Sequence, residues 1–178
     1  ALLDWLAAEF MERGWSMKQL HRLMVTSSTY RMASTPDEAN AALDLDNKFY
    51  WRMPSRRLEA EVVRDSLFFI AGKLDLTMGG PEIVHTSGLT VPRRSIYFRH
   101  ADDKRMEFLK IFDAANMVEC YRRSESVIPQ QALALANSTL ALAQARLLAG
   151  RLTKEIGEEA AQNASFIKIG FETVLGRM

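Results

Sequence analysis

A mainly α fold is what this sequence predicts: a helical bundle around one central buried helix, with a small two- or three-stranded β appendage at about 83–99. Three observations lead there. Between Glu125 and Arg146 run 20 residues without a charge, mostly Ala and Leu, the two best helix formers. Elsewhere apolar residues recur three and four apart, the helical spacing. Only at Ile83–Val91, which carries Ser87-Gly88 as a turn, and at Ser95–Arg99 does the period change to that of short strands.

Each element follows in order. Leu3, Leu6 and Phe10 share a face of a first helix over Leu2–Arg13, and Gly14 stops it. Ser16-Met17-Lys18-Gln19 has the form of a capping box and opens a second helix to about Ser28. Thr35-Pro36-Asp37-Glu38 is another such box, opening a short third helix that Asp44-Leu45-Asp46-Asn47 breaks. Arg56–Leu74 is strongly amphipathic, with Ser55 as its cap and Leu58, Val62, Phe69 and Leu74 along one side. Gly79-Gly80-Pro81 closes it. Asp102 or Asp103 caps a helix over Lys104–Ala115 that faces inward with Met106, Leu109 and Phe112. The central helix runs from Pro129 to Leu152, with Pro at a tolerant first-turn position and Ser126 as cap. Its leucines do not fall on one narrow stripe, so burial on several sides is expected. A last helix spans about Gly157–Gly176.

The totals narrow the function classes. At 178 residues the chain suits a single mostly helical domain, 1–178, with enough surface to bury to need neither disulfide nor metal. It opens on ALLDWLAAEF and ends on LGRM, so a fragment of a longer multidomain protein is expected. The net charge of +1 gives no global attraction to nucleic acid or anionic lipid, and nucleic acid is not an expected partner. Cys120, the single cysteine, excludes an internal disulfide. Gln130, Gln131, Asn137, Ser138, Thr139 and Gln144 would each need a partner in lipid, so no membrane span is expected from the central helix.

Chemistry is sparser. His21, His85 and His100 lack the spacing that places two imidazoles on one helical face, and there is no CxxC pair. His85 and His100 would meet, with Asp102 or Asp103, only if their strands paired; no metal is expected. No CxxCH motif is present, so no covalent haem and no other cofactor is expected in these residues. Asp44 and Asp46 resemble the start of a calcium loop, but the required Gly and Glu do not follow. Glu59 and Glu61, two apart on a helix, point in different directions. Cys120 lies between Glu119 and Tyr121-Arg122-Arg123, where guanidinium groups favour thiolate, although a buried packing role is the commoner use of a lone cysteine. Between Arg93 and Arg123 eight Lys/Arg stand against five Asp/Glu, too small an excess for a phosphate-tracking groove. It suffices for a pocket in which Arg94, Arg122 and Arg123 converge on the start of the central helix, with Gln131 and Asn137 as polar contacts. Asp113 and Cys120 are the candidate reactive groups beside it.

Several blocks together resemble a known family. LLDWLAAEF, LHRLMVTSSTYR, RRLEAEVVRDSL, TMGGP, RRSIYF and FDAAN occur in order, followed by the run from Cys120 to Ser138. In that run Cys120, Arg123, Pro129, Gln131, Ala132, Leu133, Leu135 and Asn137 correspond to the family's pattern. The family it resembles is the planctomycete cytochrome-associated C-terminal domain of unknown function (PSD-type) of large secreted multidomain proteins. The resemblance implies an extracytoplasmic location, other domains of the same chain as partners, and no established reaction. Its neighbouring modules imply service to a cytochrome-c-like electron-transfer module or to polysaccharide handling. Three readings result: a non-catalytic scaffold or interaction domain of a larger exported protein, a binder or processor of an anionic, sulfated polysaccharide through the arginine pocket, and an accessory domain to the cytochrome.

Overall fold

The structure, a computed structural model, describes residues 1–119, 123–157 and 163–176. Among these the chain is mainly helical, and it divides into two compact units, Ala1–Arg56 and Arg57–Met178.

The first unit holds α1 (Leu2–Glu12), α2 (Met17–Thr26) and α3 (Glu38–Leu43). Gly14, at φ +67°, turns the chain out of α1 as its position after the helix requires. Trp15 then folds back edge-on to Phe10, with ring centroids 5.3 Å apart. Ser16 caps α2, its hydroxyl accepting from the Gln19 amide at 3.4 Å. The third helix starts later than the Thr35 box implies: Asp37 is its cap and accepts from the Asn40 amide at 2.8 Å. The expected break after α3 is built on Asp44. Its carboxylate accepts the amides of Lys48 at 2.9 Å and Phe49 at 2.8 Å, and its carbonyl accepts the Trp51 indole N–H at 2.9 Å. Asp44 is the one buried residue of this unit; none of its apolar side chains is fully buried.

The second unit contains α4 (Ala60–Ile70), α5 (Glu107–Ile111), α6 (Pro129–Asn137), α7 (Thr139–Ile156) and α8 (Asn163–Leu175). Helix α4 packs on α5 and α7, and Phe68, Met106, Phe108, Leu109, Phe112 and Leu140 form the core between them. The buried face of α4 is Ala60, Arg64, Phe68 and Ala71; of the predicted face Leu58, Val62 and Phe69 are exposed, while Leu74 and the flanking Val63 and Leu67 pack partly buried against the core. The helix is also shorter than Arg56–Leu74, has Glu59 rather than Ser55 at its cap, and ends at Gly72, φ +69°.

Arg64 accounts for that rotation and for a second correction. No strand occurs among the described residues, so the β appendage expected at 83–99 is absent. The segment consists of two 3-10 turns, His85–Ser87 and Ser95–Tyr97, with isolated bridges Asp75 to Arg93 and Ile83 to Phe98. A strand exists to give its carbonyls partners, and here one side chain supplies them. The fully buried Arg64 guanidinium donates to the carbonyls of Gly88 (2.9 Å), Val91 (2.5 Å) and Arg93 (2.8 Å) and to the Ser95 hydroxyl (3.1 Å). It lies between the Phe68 and Phe98 rings, 4.9 and 4.8 Å from their centroids. Arg93 repeats the device at the TMGGP turn, donating to the carbonyls of Gly79 and Pro81 while lying 4.0 Å above the Tyr97 ring. With the Gly88, Val91 and Arg93 carbonyls satisfied from the side, the second arm of the expected hairpin needs no partner strand.

The expected central rod also differs. It breaks at Ser138 into α6 and α7, which meet at 48°. Ser138 caps α7, its hydroxyl accepting from the Ala141 amide at 3.1 Å, a local bond that competes with continuing the helix. Burial is one-sided. Leu140, Gln144, Leu148 and Leu152, four apart, are buried, whereas Leu133, Leu135, Leu142 and Leu147 are exposed. No single helix among the described residues is long and apolar enough to cross a membrane. Shorter than expected too is the Lys104–Ala115 helix, reduced to α5 with Met106 at its cap, while α8 is helical over Asn163–Leu175 among the described residues.

Candidate functional site

Around the start of α6 the polar side chains form a framework. Asp113, in the left-handed region at φ +59° just after α5, accepts the Ser126 amide at 2.7 Å and the Ser126 hydroxyl at 2.8 Å. Ser126 is therefore not the helix cap; that position is Ile128. Gln131, 4% exposed, donates its amide to the Ile111 carbonyl at 3.0 Å and the Ser126 carbonyl at 3.2 Å. Arg57 closes the ring, donating to the Gln131 amide oxygen and the Ser126 carbonyl. Gln131 and Asp113 thus tie the 111–129 connection to α6, as buried amides must be tied.

Beside this framework lies a cleft of about 470 Å³ between the start of α4, the 94–100 segment and α5. Five cationic side chains line it, Arg94, Arg99, Lys104, Arg105 and Arg123, together with His100 and three carboxylates, Glu59, Glu61 and Asp65. The acidic wall is internally compensated. Arg123 bridges Glu61 at 2.7 Å and Glu59 at 3.6 Å, which reconciles two carboxylates that point apart on their own. Asp65 accepts the Ser95 amide at 2.9 Å and hydroxyl at 2.6 Å and lies 3.2 Å from Arg64. An adjoining hollow of about 490 Å³ is lined by Arg105, Lys110, Asp113, Asn116, Glu119, Arg123 and Ser124.

The predicted site residues distribute as follows. Arg94 and Arg123 line the same cleft, and Asp113 lines the adjoining hollow with Arg123. Gln131 belongs to the framework, and Asn137 is exposed at the far end of α6, with no side-chain hydrogen bond among the described residues. Cys120 and Arg122 lie outside the described residues. Arg99, Lys104 and Arg105 join the cleft because the chain reverses between 94 and 107. His85 and His100 are not brought together on paired strands, and no cluster of three His, Cys, Asp or Glu suited to a metal occurs among the described residues. Nor does any histidine among them hydrogen-bond to a hydroxyl or carboxylate, the arrangement that nucleophilic catalysis uses.

A second surface feature is apolar. Helices α7 and α8 leave a groove of about 440 Å³ whose lining, including Leu148, Leu152, Phe166, Ile167, Phe171 and Val174, contains no polar or charged side chain. Ile167 and Phe171 are 58% and 59% exposed there.

No curated protein and no solved structure matches this chain. Over residues 1–178 it matches the family described as PSD1, protein of unknown function (DUF1553), and the chain belongs to that family.

Proposed function

We propose that this is a non-catalytic scaffold or interaction domain of a larger exported protein, which docks other domains of the same chain. The groove between α7 and α8 carries this reading. Folded chains seldom leave an uncharged, concave apolar surface open to water, and where they do it marks a contact surface. Phe171 and Ile167 are the anchors, since large apolar side chains at the centre of a contact dominate its energy. The test is a calorimetric titration of the chain with the remaining domains of its full-length protein. Association is expected, and Phe171→Asp is expected to weaken it about tenfold or more without lowering the melting temperature. Absence of association with the unaltered chain overturns the reading.

The cleft that holds Arg94 and Arg123 favours a second reading, recognition of an anionic, sulfated polysaccharide. Arginine forks suit sulfate and carboxylate oxygens. Binding of a sulfated oligosaccharide that is lost in Arg94→Gln supports it, and equal binding by both proteins or by neither overturns it.

A further inference from the structure

We infer that the cleft beside α5 is a defined site for a single oxyanion group, a sulfate, phosphate or carboxylate, held by Arg94, Lys104 and Arg105. This is independent of the docking reading; it rests on the same cleft as the polysaccharide reading, narrows the ligand to one charged group and adds two residues.

Three observations converge. The exposed Arg94 and the half-buried Lys104 both line the cleft, and neither has an ion pair or side-chain hydrogen bond among the described residues; Lys104 is the one held out of much of its water. A cation removed from much of its water without a counter-charge is stabilised by any anion that enters. Arg105 lines both the cleft and the hollow next to it, and its buried Nε has no acceptor. Its ion pair with Asp102 does not fill that need, because Asp102 meets Nη2 and is 84% exposed. The carboxylates of the wall do not repel such a ligand strongly. Glu59 and Glu61 face Arg123, and Asp65 is engaged by Ser95 and Arg64. An oxyanion offers several acceptor oxygens at once, which a lone carbonyl or hydroxyl cannot, and so matches three separate donors.

The full chain is titrated calorimetrically with sodium sulfate, sodium phosphate and sodium acetate in about 0.15 M sodium chloride, which screens diffuse attraction beyond about 8 Å. Saturable one-to-one binding of at least one anion is expected. Lys104→Gln and Arg94→Gln should each weaken it about tenfold, the loss of one charge-assisted bond. Neither side chain holds the fold, so melting temperatures should not move; Arg105→Gln is the third variant, and Lys168→Gln, on α8, should bind as the unaltered chain does. No saturable binding of any of the three anions overturns the site, as does affinity retained in both Lys104→Gln and Arg94→Gln. A sulfated oligosaccharide separates the two ideas. If it binds while no small anion does, the site fails and the polysaccharide reading survives; if small anions bind and it does not, the site stands and the polysaccharide reading fails.

Discussion

Arg64 sits at zero exposure with every guanidinium nitrogen engaged, and burial pulls its pKa below the usual guanidinium range while the Asp65 carboxylate opposes the shift. An arginine so placed acts less as a charge than as a rigid fork for carbonyls. Arg64→Met fills the space but leaves the Gly88, Val91 and Arg93 carbonyls without their partner, so urea denaturation should show a loss of about 3–5 kcal/mol. Asp44 makes a converse prediction in the first unit. The Phe49 amide, then the Lys48 amide and the Lys48 charge, hold its pKa below 3.8 despite burial. A depressed carboxylate contributes stability that is present above its unfolded value and lost as pH falls through the folded one. The 44–52 turn should therefore be held closed above 3.8 and lose this contribution as the pH falls below it. Trp51 fluorescence in a chain with Trp5 and Trp15 replaced by Phe reads this directly, and Asp44→Asn should abolish the acid step.

At the scale of elements, two short-range details decide what longer segments do. Ser138 divides what composition alone makes one helix, because its hydroxyl captures the Ala141 amide and starts α7 afresh. Ser138→Ala should cost about 1 kcal/mol in thermal unfolding, the ordinary worth of such a cap. Gly88 sits where a Cβ would lie 2.5 Å from the Met106 sulfur and 2.7 Å from the Phe98 ring. Its conformation is one any residue adopts, so the constraint is space, set by the Arg64 fork drawing this turn onto the core. Gly88→Ala is expected to lower stability by about 1–3 kcal/mol by overpacking, measured by the same denaturation.

For the whole molecule, the uneven distribution of core matters most. Residues 57–178 own the cluster around Phe68, Phe112 and Leu140, whereas residues 1–56 bury no apolar side chain fully. A unit of about fifty residues without a core is not stable by itself. Expressed alone, 57–178 should unfold in one cooperative transition by circular dichroism. Residues 1–56 alone should show little helix and no cooperative transition; a sharp one would contradict this account.

Much of the chain was legible because helix formation is local. Leu2–Arg13, the Ser16 cap of α2, the break at Asp44 and the first-turn Pro129 rest on bonds between residues three to seven apart, which sequence spacing displays. Even the Gln131 amide, a candidate ligand contact in the sequence and a tie for the preceding loop in the structure, was marked by lying polar in an apolar helix. What spacing does not display is a side chain spent on a distant backbone. Arg64 reaches carbonyls 24 to 29 residues away, and Arg57 reaches Gln131 across 74. Those bonds set which face of α4 is buried and hold the 88–95 segment without a strand pair. Likewise, Ala and Leu content determined that 129–156 is helical, but which leucines are dry depended on where α4 and α8 could pack. Local hydrogen bonds and propensity belong to the sequence; which face is buried, and which cation is left without a partner, belongs to contacts made only after the chain has folded.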